Sequence, residues 1–389
     1  NDDVNKNRPG GQFAFNDVAT GSSLAALLLG WPQSARIDAA QLIRSRMDTF
    51  GAFFQDDWKL SPRLTLNLGL RWDMDTPRWE AINNRQNSFD RAAINPACNC
   101  PGLVIWSGRN GVSRYAHNFD KNNFGPRVGL AWRVTDDWVV RAGASMVYTG
   151  QYDQATPLVS NLGFSVQGDF VSPDNGLTPP LRLSAGIPPI SLPTESDLVP
   201  GFGAVAIGKP TRTSVEFFEP DGRATGYLTT YNLNIERQLP GQVLLELGYL
   251  STLGHMLPAP ASLTQNQVRP ELMGAGNAQT RRPFPQFSDV AVLAPAIGNS
   301  NYHGLNIKLE KRYSYGLHFQ TNYTWAKAID DVESRNELGG GAGNAYSNVY
   351  NRRADRGLSG NSIAHRLIWS SVYEMPFGGG RRFDIPKPV

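Results

Sequence analysis

The sequence predicts an all-β chain whose strands form an antiparallel, up-and-down barrel that crosses a membrane. Two observations predict this fold. Apolar and polar residues alternate along nine segments, and the connections between these segments are short and long in turn. A side-chain period of two gives a strand one apolar and one polar face. Tight turns at one end and long loops at the other are typical of an outer-membrane barrel, whereas a soluble sandwich does not sort its loops by length.

The first hairpin shows the pattern most clearly. Even-numbered positions from Leu64 to Trp72 are all apolar, while Thr, Asn, Gly and Arg occupy the odd positions between them. The turn Ser61-Pro62-Arg63 joins this strand to the preceding one, which covers residues 53–60. We therefore expect the even side chains of this strand to face lipid.

The same unit follows three more times, and half of it a fourth time. Its short turns lie at residues 135–137, 240–242 and 314–316. Its alternating segments are residues 127–134, 138–148, 231–236, 243–249, 305–310, 317–325 and 367–375. The remaining connections each run to roughly 35–70 residues, far beyond an ordinary loop.

Three weaker signals complete the list of expected elements. Segments near residues 11–15 and 34–42 bring the expected number of strands to about eleven. The most apolar stretch, residues 22–30, is too short for a membrane helix. We interpret it as one or two helical turns between a Ser cap and a Gly stop.

Aromatic residues lie at both ends of the expected strands. Trp58, Trp132 and Trp138 lie close to the short turns. The far ends of the strands carry Trp72, Tyr148, Tyr249 and Trp325. Rings of aromatic residues at both interfaces are typical of a membrane barrel, although strand propensity alone also enriches Trp and Tyr in sheets.

The polar faces of the strands are expected to line the lumen of the barrel. The members of this face are Asn67, Arg71, Asn232, Asn234, Glu236, Lys308, Glu310, Gln320 and Asn322. The formal net charge is only +3, and the basic residues are scattered along the chain. Nucleic-acid binding therefore has little support.

The two ends of the chain predict that residues 1–389 are one partial barrel domain of a longer protein. Asn1 is not an initiator methionine, and Lys387-Pro388-Val389 is not a strand that could close a barrel. An incomplete barrel would leave two unpaired edges, which the bilayer core does not tolerate.

Cys98 and Cys100 are the two cysteines of the chain and lie in a long loop expected outside the cell. Two thiols are too few for a four-ligand zinc site, and an oxidising location favours a disulfide, either between the two or to a segment elsewhere. Free thiols and a metal site remain as alternatives.

Other candidate chemistry is sparse. The histidines His117, His255, His303, His318 and His365 do not cluster in the sequence. Asp330, Asp331 and Glu333 could bind a cation, but a solvated acidic loop is the better interpretation. The Gly-rich residues 338–343 lack the Lys-Ser/Thr of a phosphate loop. Because no nucleophile, base and orienting group come together in the sequence, we expect neither an enzyme nor a cofactor.

Several stretches resemble the barrel of TonB-dependent outer-membrane receptors, and in particular the Oar-like branch, whose members often carry a carboxypeptidase-regulatory-like domain. The segment GAFFQDDWKLSPRLTLNLGLRW from Gly51 resembles the barrel in general. The Oar-like stretches are SSLAALLLGWP from Ser22, NFGPRVGLAW from Asn123, TYNLNIERQLPG from Thr230, NYHGLNIKLEKR from Asn301, YTWAKAIDD from Tyr323 and HRLIWSSVYEMPFGGGRR from His365.

This resemblance implies a barrel of about 22 strands around a plug, of which the chain holds about half. It also implies contact with outer-membrane lipid in a Gram-negative bacterium and active uptake of an extracellular ligand. The TonB complex would be engaged through a region outside this chain. The ligand classes of the family are metal chelates, cobalamin, glycans and peptides. A structural or adhesive barrel is the alternative function, and a soluble secreted β-rich binding protein is the third.

Overall fold

The computed structural model describes residues 2–3, 10–150, 162–211, 213–220, 225–258, 262–331, 346–378 and 383. Its central feature is a ten-stranded antiparallel sheet. Nine strands of this sheet are numbered in chain order: β1 Thr49–Ser61, β2 Leu64–Asp75, β3 Asn123–Arg133, β4 Trp138–Tyr148, β5 Tyr227–Leu239, β6 Val243–Pro258, β7 Ala296–Ser314, β8 Leu317–Asp330 and β9 His365–Tyr373. The two-residue strand Gly357–Leu358 also pairs with β8.

Each of the nine strands pairs with its neighbours in the chain, so the sheet is a simple meander. The nine alternating segments of the sequence are therefore confirmed as strands, in the predicted order. The reason is local, because a period of two with turn residues at each end leaves few alternatives to a hairpin. The turns at Gly241-Gln242 and Tyr315-Gly316 have positive φ at both residues, which matches the twist of the flanking strands.

The register places one row of apolar and aromatic residues across all nine strands. Directly opposite partners connect Trp58, Leu66, Leu130, Ala142, Leu233, Tyr249, Leu305, Trp325 and His365. The row begins near a short turn at Trp58 and ends at the loop end of β9. The row thus shifts from the short-turn end to the loop end as it crosses the sheet, which is the stagger that tilted barrel strands require.

The opposite face of the sheet is polar. All nine residues expected to line the lumen lie on it, so the prediction that they share a face is confirmed. Asn67 donates to Asp57 at 2.5 Å, and Asn306 donates to Asn322 at 2.7 Å. Asn234 lies over Gly248, where an added Cβ would meet its Oδ1 at 2.6 Å. Asp56 is an exception on the apolar face, opposite Leu68.

The long loops and the residues before β1 form short elements of their own at one end of the sheet. Helix α1 covers Ser23–Leu28, with Ser22 at its N-cap and Gly30 following it at positive φ, as predicted. The 3-10 helices are Leu183–Ala185, Glu195–Asp197, Pro270–Leu272, Ala278–Arg281 and Arg352–Asp355. The short strands are Asp2–Asp3, Gln12–Ala14, Ser34–Ala40, Ile43–Arg46, Trp79–Glu80, Asn87–Asn95, Cys100–Trp106, Ser165–Val171, Ser214–Phe217, Ser262–Thr264 and Asp289–Leu293.

The weaker segments near residues 11–15 and 34–42 are strands, but they do not belong to the barrel sheet. Gln12–Ala14 pairs with Ser34–Ala40, and Ser34–Ala40 pairs in turn with Ser165–Val171 from the loop after β4. The count of about eleven barrel strands was therefore wrong. Local alternation predicts a strand but does not identify its partner.

The hydrophobic core of the molecule lies among the loops rather than in the sheet. We call this assembly of loop segments the loop body. Its central residues come from the loops after β2, β4 and β6: Phe89, Val104, Trp106, Phe164, Val215, Phe217, Phe284, Phe287, Val290 and Val292. Phe89 makes edge-on contacts with the rings of Phe284 and Phe287 at 5.1 and 5.9 Å. The long loops are thus held together by the same burial that stabilises a soluble domain.

Candidate functional site

A polar pocket lies where the loop ends of β2, β3 and β4 meet the loop body. Its volume is about 330 Å³. Its walls are Thr49, Arg71, Asp73, Asp75, Asn123, Arg127, Val147, Tyr148, Thr149, Gly150 and Thr225. We call it the mouth pocket, since it opens at the loop end of the polar face.

Four charged side chains define the chemistry of the mouth pocket. Arg71 Nη2 lies 2.7 Å from Asp73 Oδ1, so these two charges neutralise each other. Thr49 donates to Asp75 at 2.7 Å. Arg127 has no hydrogen bond or ion pair among the described residues. The pocket therefore offers one guanidinium that can take an anionic or strongly polar group.

The rim of the mouth pocket is held by contacts between loops. The backbone N–H of Thr225 donates to Asp120 at 2.8 Å, and the Thr149 hydroxyl donates to the carbonyl of Gly226 at 2.9 Å. A Cβ at Gly226 would meet the carbonyl oxygen of Met256 at 2.5 Å. This close approach of two backbones requires glycine, and it joins the loop after β4 to the end of β6.

Two carboxyl groups of the loop body, the buried Glu80 and the half-buried Glu216, have opposite environments. Burial alone would raise the pKa of Glu80, but four backbone N–H donors, from Arg85, Arg44, Ile82 and Asn83, outweigh it and lower the pKa. Burial, with a smaller contribution from Asp289, raises the pKa of Glu216. Glu80 therefore anchors its loop as an anion, whereas the surroundings of Glu216 favour the neutral acid.

Cys98 and Cys100 lie at the tip of the hairpin formed by Asn87–Asn95 and Cys100–Trp106. They are joined to each other by a disulfide, with their Cα atoms 5.2 Å apart. A second cleft, of about 700 Å³, is lined by the adjacent Pro96 and Ala97 and by residues from the segment 191–202.

The histidines considered in the sequence lie apart from one another. His117 is buried in the loop body, His318 lies on β8, and the other three lie on the apolar face of β6, β7 and β9. Within the described residues, no group of three or more His, Cys, Asp or Glu could hold a metal ion. Asp331 accepts the backbone N–H of Asn299 at 2.6 Å. Glu333 and the Gly-rich residues 338–343 lie outside the described residues.

Sequence reasoning found Arg71 but missed Arg127 and the loop segments that form the mouth. Arg127 does follow the period of two, and its polar position was visible in the sequence. The absence of a carboxylate partner for Arg127 could not be seen in the sequence, because it depends on the register between β2, β3 and β4.

A family model described as an outer membrane β-barrel domain matches residues 1–389. The chain belongs to this family. The nine-stranded meander is thus part of an outer-membrane barrel of a Gram-negative bacterium, its apolar face contacts lipid, and its polar face lines the lumen. Within the described residues, no helix is long and apolar enough to cross a membrane.

Solved structures with a similar fold include the alcaligin outer-membrane receptor FauA from Bordetella pertussis, at 12% identity, covering 90% of this chain and 40% of that chain with a TM-score of 0.35. The ferric yersiniabactin uptake receptor FyuA from Yersinia pestis is similar at 10% identity, covering 87% of this chain and 32% of that chain with a TM-score of 0.37. The pyoverdine receptor FpvA from Pseudomonas aeruginosa is similar at 11% identity, covering 75% and 26%, with a TM-score of 0.33. The barrel domain thus spans at most two-fifths of these chains. No curated protein sequence matches it.

Proposed function

We propose that this barrel domain belongs to a receptor that binds an extracellular ligand at its loop end and takes it up by TonB-dependent transport. The observation that carries the proposal is the mouth pocket, which joins the loop body to the polar face of the sheet. A ligand held there by Arg127 would lie at the start of a path lined by amide and charged side chains. Coupling to TonB rests on the resemblance of the strands to TonB-dependent receptors, and we expect no enzymatic activity.

The lumenal face is suited to passage because part of its charge is paired within the sheet. Arg141 forms an ion pair with Glu236, and Lys308 lies 2.9 Å from Glu310. A polar solute or a plug domain can exchange hydrogen bonds with such a face without leaving a buried charge unpaired. The lone Arg127 at the mouth then supplies selectivity rather than a general attraction for anions.

The test uses cells that produce the full-length protein, with tonB either intact or deleted. Uptake is measured for a labelled panel of ferric siderophores, cobalamin, oligosaccharides and peptides, the classes implied by the resemblance. We expect one class to accumulate only when tonB is intact. We also expect Arg127→Ala to raise the half-saturating concentration about tenfold, as loss of a charge-assisted contact does. Arg133→Ala, on the same face at the short-turn end of β3, is the matched control.

A structural or adhesive role is the second candidate, and the packed loop body favours it. A rigid aromatic core formed by three loops can present a stable binding surface to another cell or a polymer. Under this function, uptake of every member of the panel is unaffected by tonB deletion. Attachment of the cells to a surface would instead be lost with Phe217→Ala, which removes a fully buried ring from the loop body.

A further inference from the structure

A cluster of cationic and aromatic side chains lies on the lipid face at the loop end of β6, β7 and β8. Tyr249, Leu305 and Trp325 are direct neighbours in one row, and Ser251, His303 and Lys327 are direct neighbours in the next row toward the loops. A cavity of about 340 Å³ lies among them, and Leu358 from the following loop forms a further wall. Neither the uptake proposal nor the mouth pocket uses these residues.

The imidazole of His303 is held in place by its neighbour. Tyr249 Oη lies 2.8 Å from His303 Nδ1, and the two rings are stacked with their centroids 6.3 Å apart. This contact occupies Nδ1 and leaves Nε2 for another partner. Tyr323 and His365 repeat the arrangement on β8 and β9, with a 2.8 Å contact to Nδ1 and centroids 6.1 Å apart.

The cations of the cluster have no matching anion in the described part of the chain. Lys327 lies directly opposite His303 in the ladder and makes no hydrogen bond or ion pair there. A guanidinium nitrogen of Arg356 lies 3.0 Å from the side-chain amide of Asn301, two residues before His303 on β7. The nearby Asp331 accepts from Asn299, and strand alternation places Asp330 on the lumenal face. The ammonium group of Lys327 is therefore left without an anionic partner among the described residues.

The rest of the cavity is apolar. Trp325 is 58% exposed and Leu358 is 67% exposed, so both present hydrocarbon surface outward. The cluster therefore offers an ammonium group and an imidazole N–H at headgroup depth, above a wall of Leu305 and Trp325 at acyl-chain depth. The loop end of an outer-membrane barrel lies in the outer leaflet.

We propose that this cluster binds a phosphate-bearing lipid of the outer leaflet. The phosphate contacts Lys327 and His303, and an acyl chain packs along Leu305 and Trp325. Such a contact fixes the position of β6, β7 and β8 in the leaflet and of the loop that follows β8. The inference does not depend on transport, since a barrel of either proposed function meets the same lipid.

The test is a lipid titration of the full-length protein, delipidated in detergent, by native mass spectrometry. The probes are diphosphorylated lipid A, the same lipid after chemical removal of its phosphates, and inorganic phosphate. We expect saturable binding of lipid A, and about tenfold weaker binding by Lys327→Gln because a charge-assisted contact is lost. Lys311→Gln is the matched control, since Lys311 lies on the same face of β7 near the short turn. It should bind within twofold of the unmodified protein.

Three results would overturn the proposal. Equal affinities of Lys327→Gln and the unmodified protein would place the lipid elsewhere. Equal binding of the dephosphorylated lipid would show that only the apolar wall is used. Inorganic phosphate that binds as tightly as lipid A would show an anion site that takes no lipid. Heat-resistant migration of each variant on a gel verifies that the barrel is folded.

Discussion

Aromatic residues have opposite surroundings in the sheet and in the loop body. Trp325 and Trp369 of the sheet are 58% and 70% exposed, whereas Phe217 and Phe287 of the loop body are 0% exposed. The sheet has no apolar partner within the described chain, because its partner is lipid. The loop body faces water and must bury its own rings. The chain thus contains one region that is stable in lipid, the sheet, and one that is stable in water, the loop body.

The largest expected effect is a loss of stability in the loop body that leaves the barrel intact. Phe217→Ala removes a ring that is fully buried against Phe89. We expect it to lower the free energy of unfolding of the loop body by about 3–5 kcal/mol while the barrel stays inserted. Limited proteolysis of the loops in reconstituted full-length protein measures the first change, and gel migration measures the second. Phe119→Ala, at a ring that is 40% exposed, should cost far less.

The second effect belongs to the sheet alone. Leu130→Arg places a charge on the lipid face, between Leu66 and Ala142, and should destabilise insertion by about 2–4 kcal/mol. The neighbouring Asn67→Ala changes the lumenal face and should do little to insertion. A membrane-folding titration measures both variants, and equal effects would contradict the assignment of faces.

The third expected effect is a loss of stability in the loop body when the negative charge of Glu80 is removed. Glu80→Gln keeps the shape but removes the negative charge that four backbone N–H groups contact, at an expected cost of about 1–3 kcal/mol. Because the folded-state pKa of Glu80 is lowered, its contribution is present above the ordinary value of 4.5 and is lost as the pH falls below it. Proteolysis of the loops across an acid series should show this loss in the unmodified protein and not in the variant. Glu195→Gln, at an exposed ion pair, is the control.

The disulfide at the hairpin tip should have a smaller effect. It closes a loop of very few residues, so replacing Cys98 and Cys100 with serine should cost about 1–2 kcal/mol in the loop body and nothing in the barrel. A free-thiol assay on the unfolded, non-reduced protein should find no thiol. Two reactive thiols would mean that the cysteines are not paired in the cell.

The smallest expected effect is at Glu216, whose replacement should stabilise the loop body rather than weaken it. Burial raises the pKa of its carboxyl in the folded state, so its contribution to stability is complete below 4.5 and is lost as the pH rises through the raised value. Glu216→Gln should therefore make the loop body slightly more stable at neutral pH and no different at low pH. A variant that weakens the loop body at neutral pH would show that the ionised form of Glu216 is needed.

The sheet could be predicted from the sequence because its information is local. The alternation from Leu64 to Trp72 and the turn before it determine strand, face and partner together. The loop body could not be predicted, since Phe89, Phe217 and Phe287 come from three separate loops and follow no common period. Residues 34–42 show what alternation cannot predict. They alternate like a barrel strand, and yet their partner is Ser165–Val171.

A single-cysteine accessibility scan tests most directly whether lipid covers the apolar face of the sheet while the loop body buries its own rings. The scan uses the full-length protein in outer-membrane vesicles, with Cys98 and Cys100 replaced by serine. Probes soluble in lipid or in water are applied to each position from Leu64 to Trp72 and to Phe89, Phe217 and Phe287. We predict that even positions of β2 react only with the lipid-soluble probe and odd positions only with the aqueous one, while the three core positions react with neither. Labelling of β2 without alternation, or of the core by the lipid-soluble probe, would contradict the account.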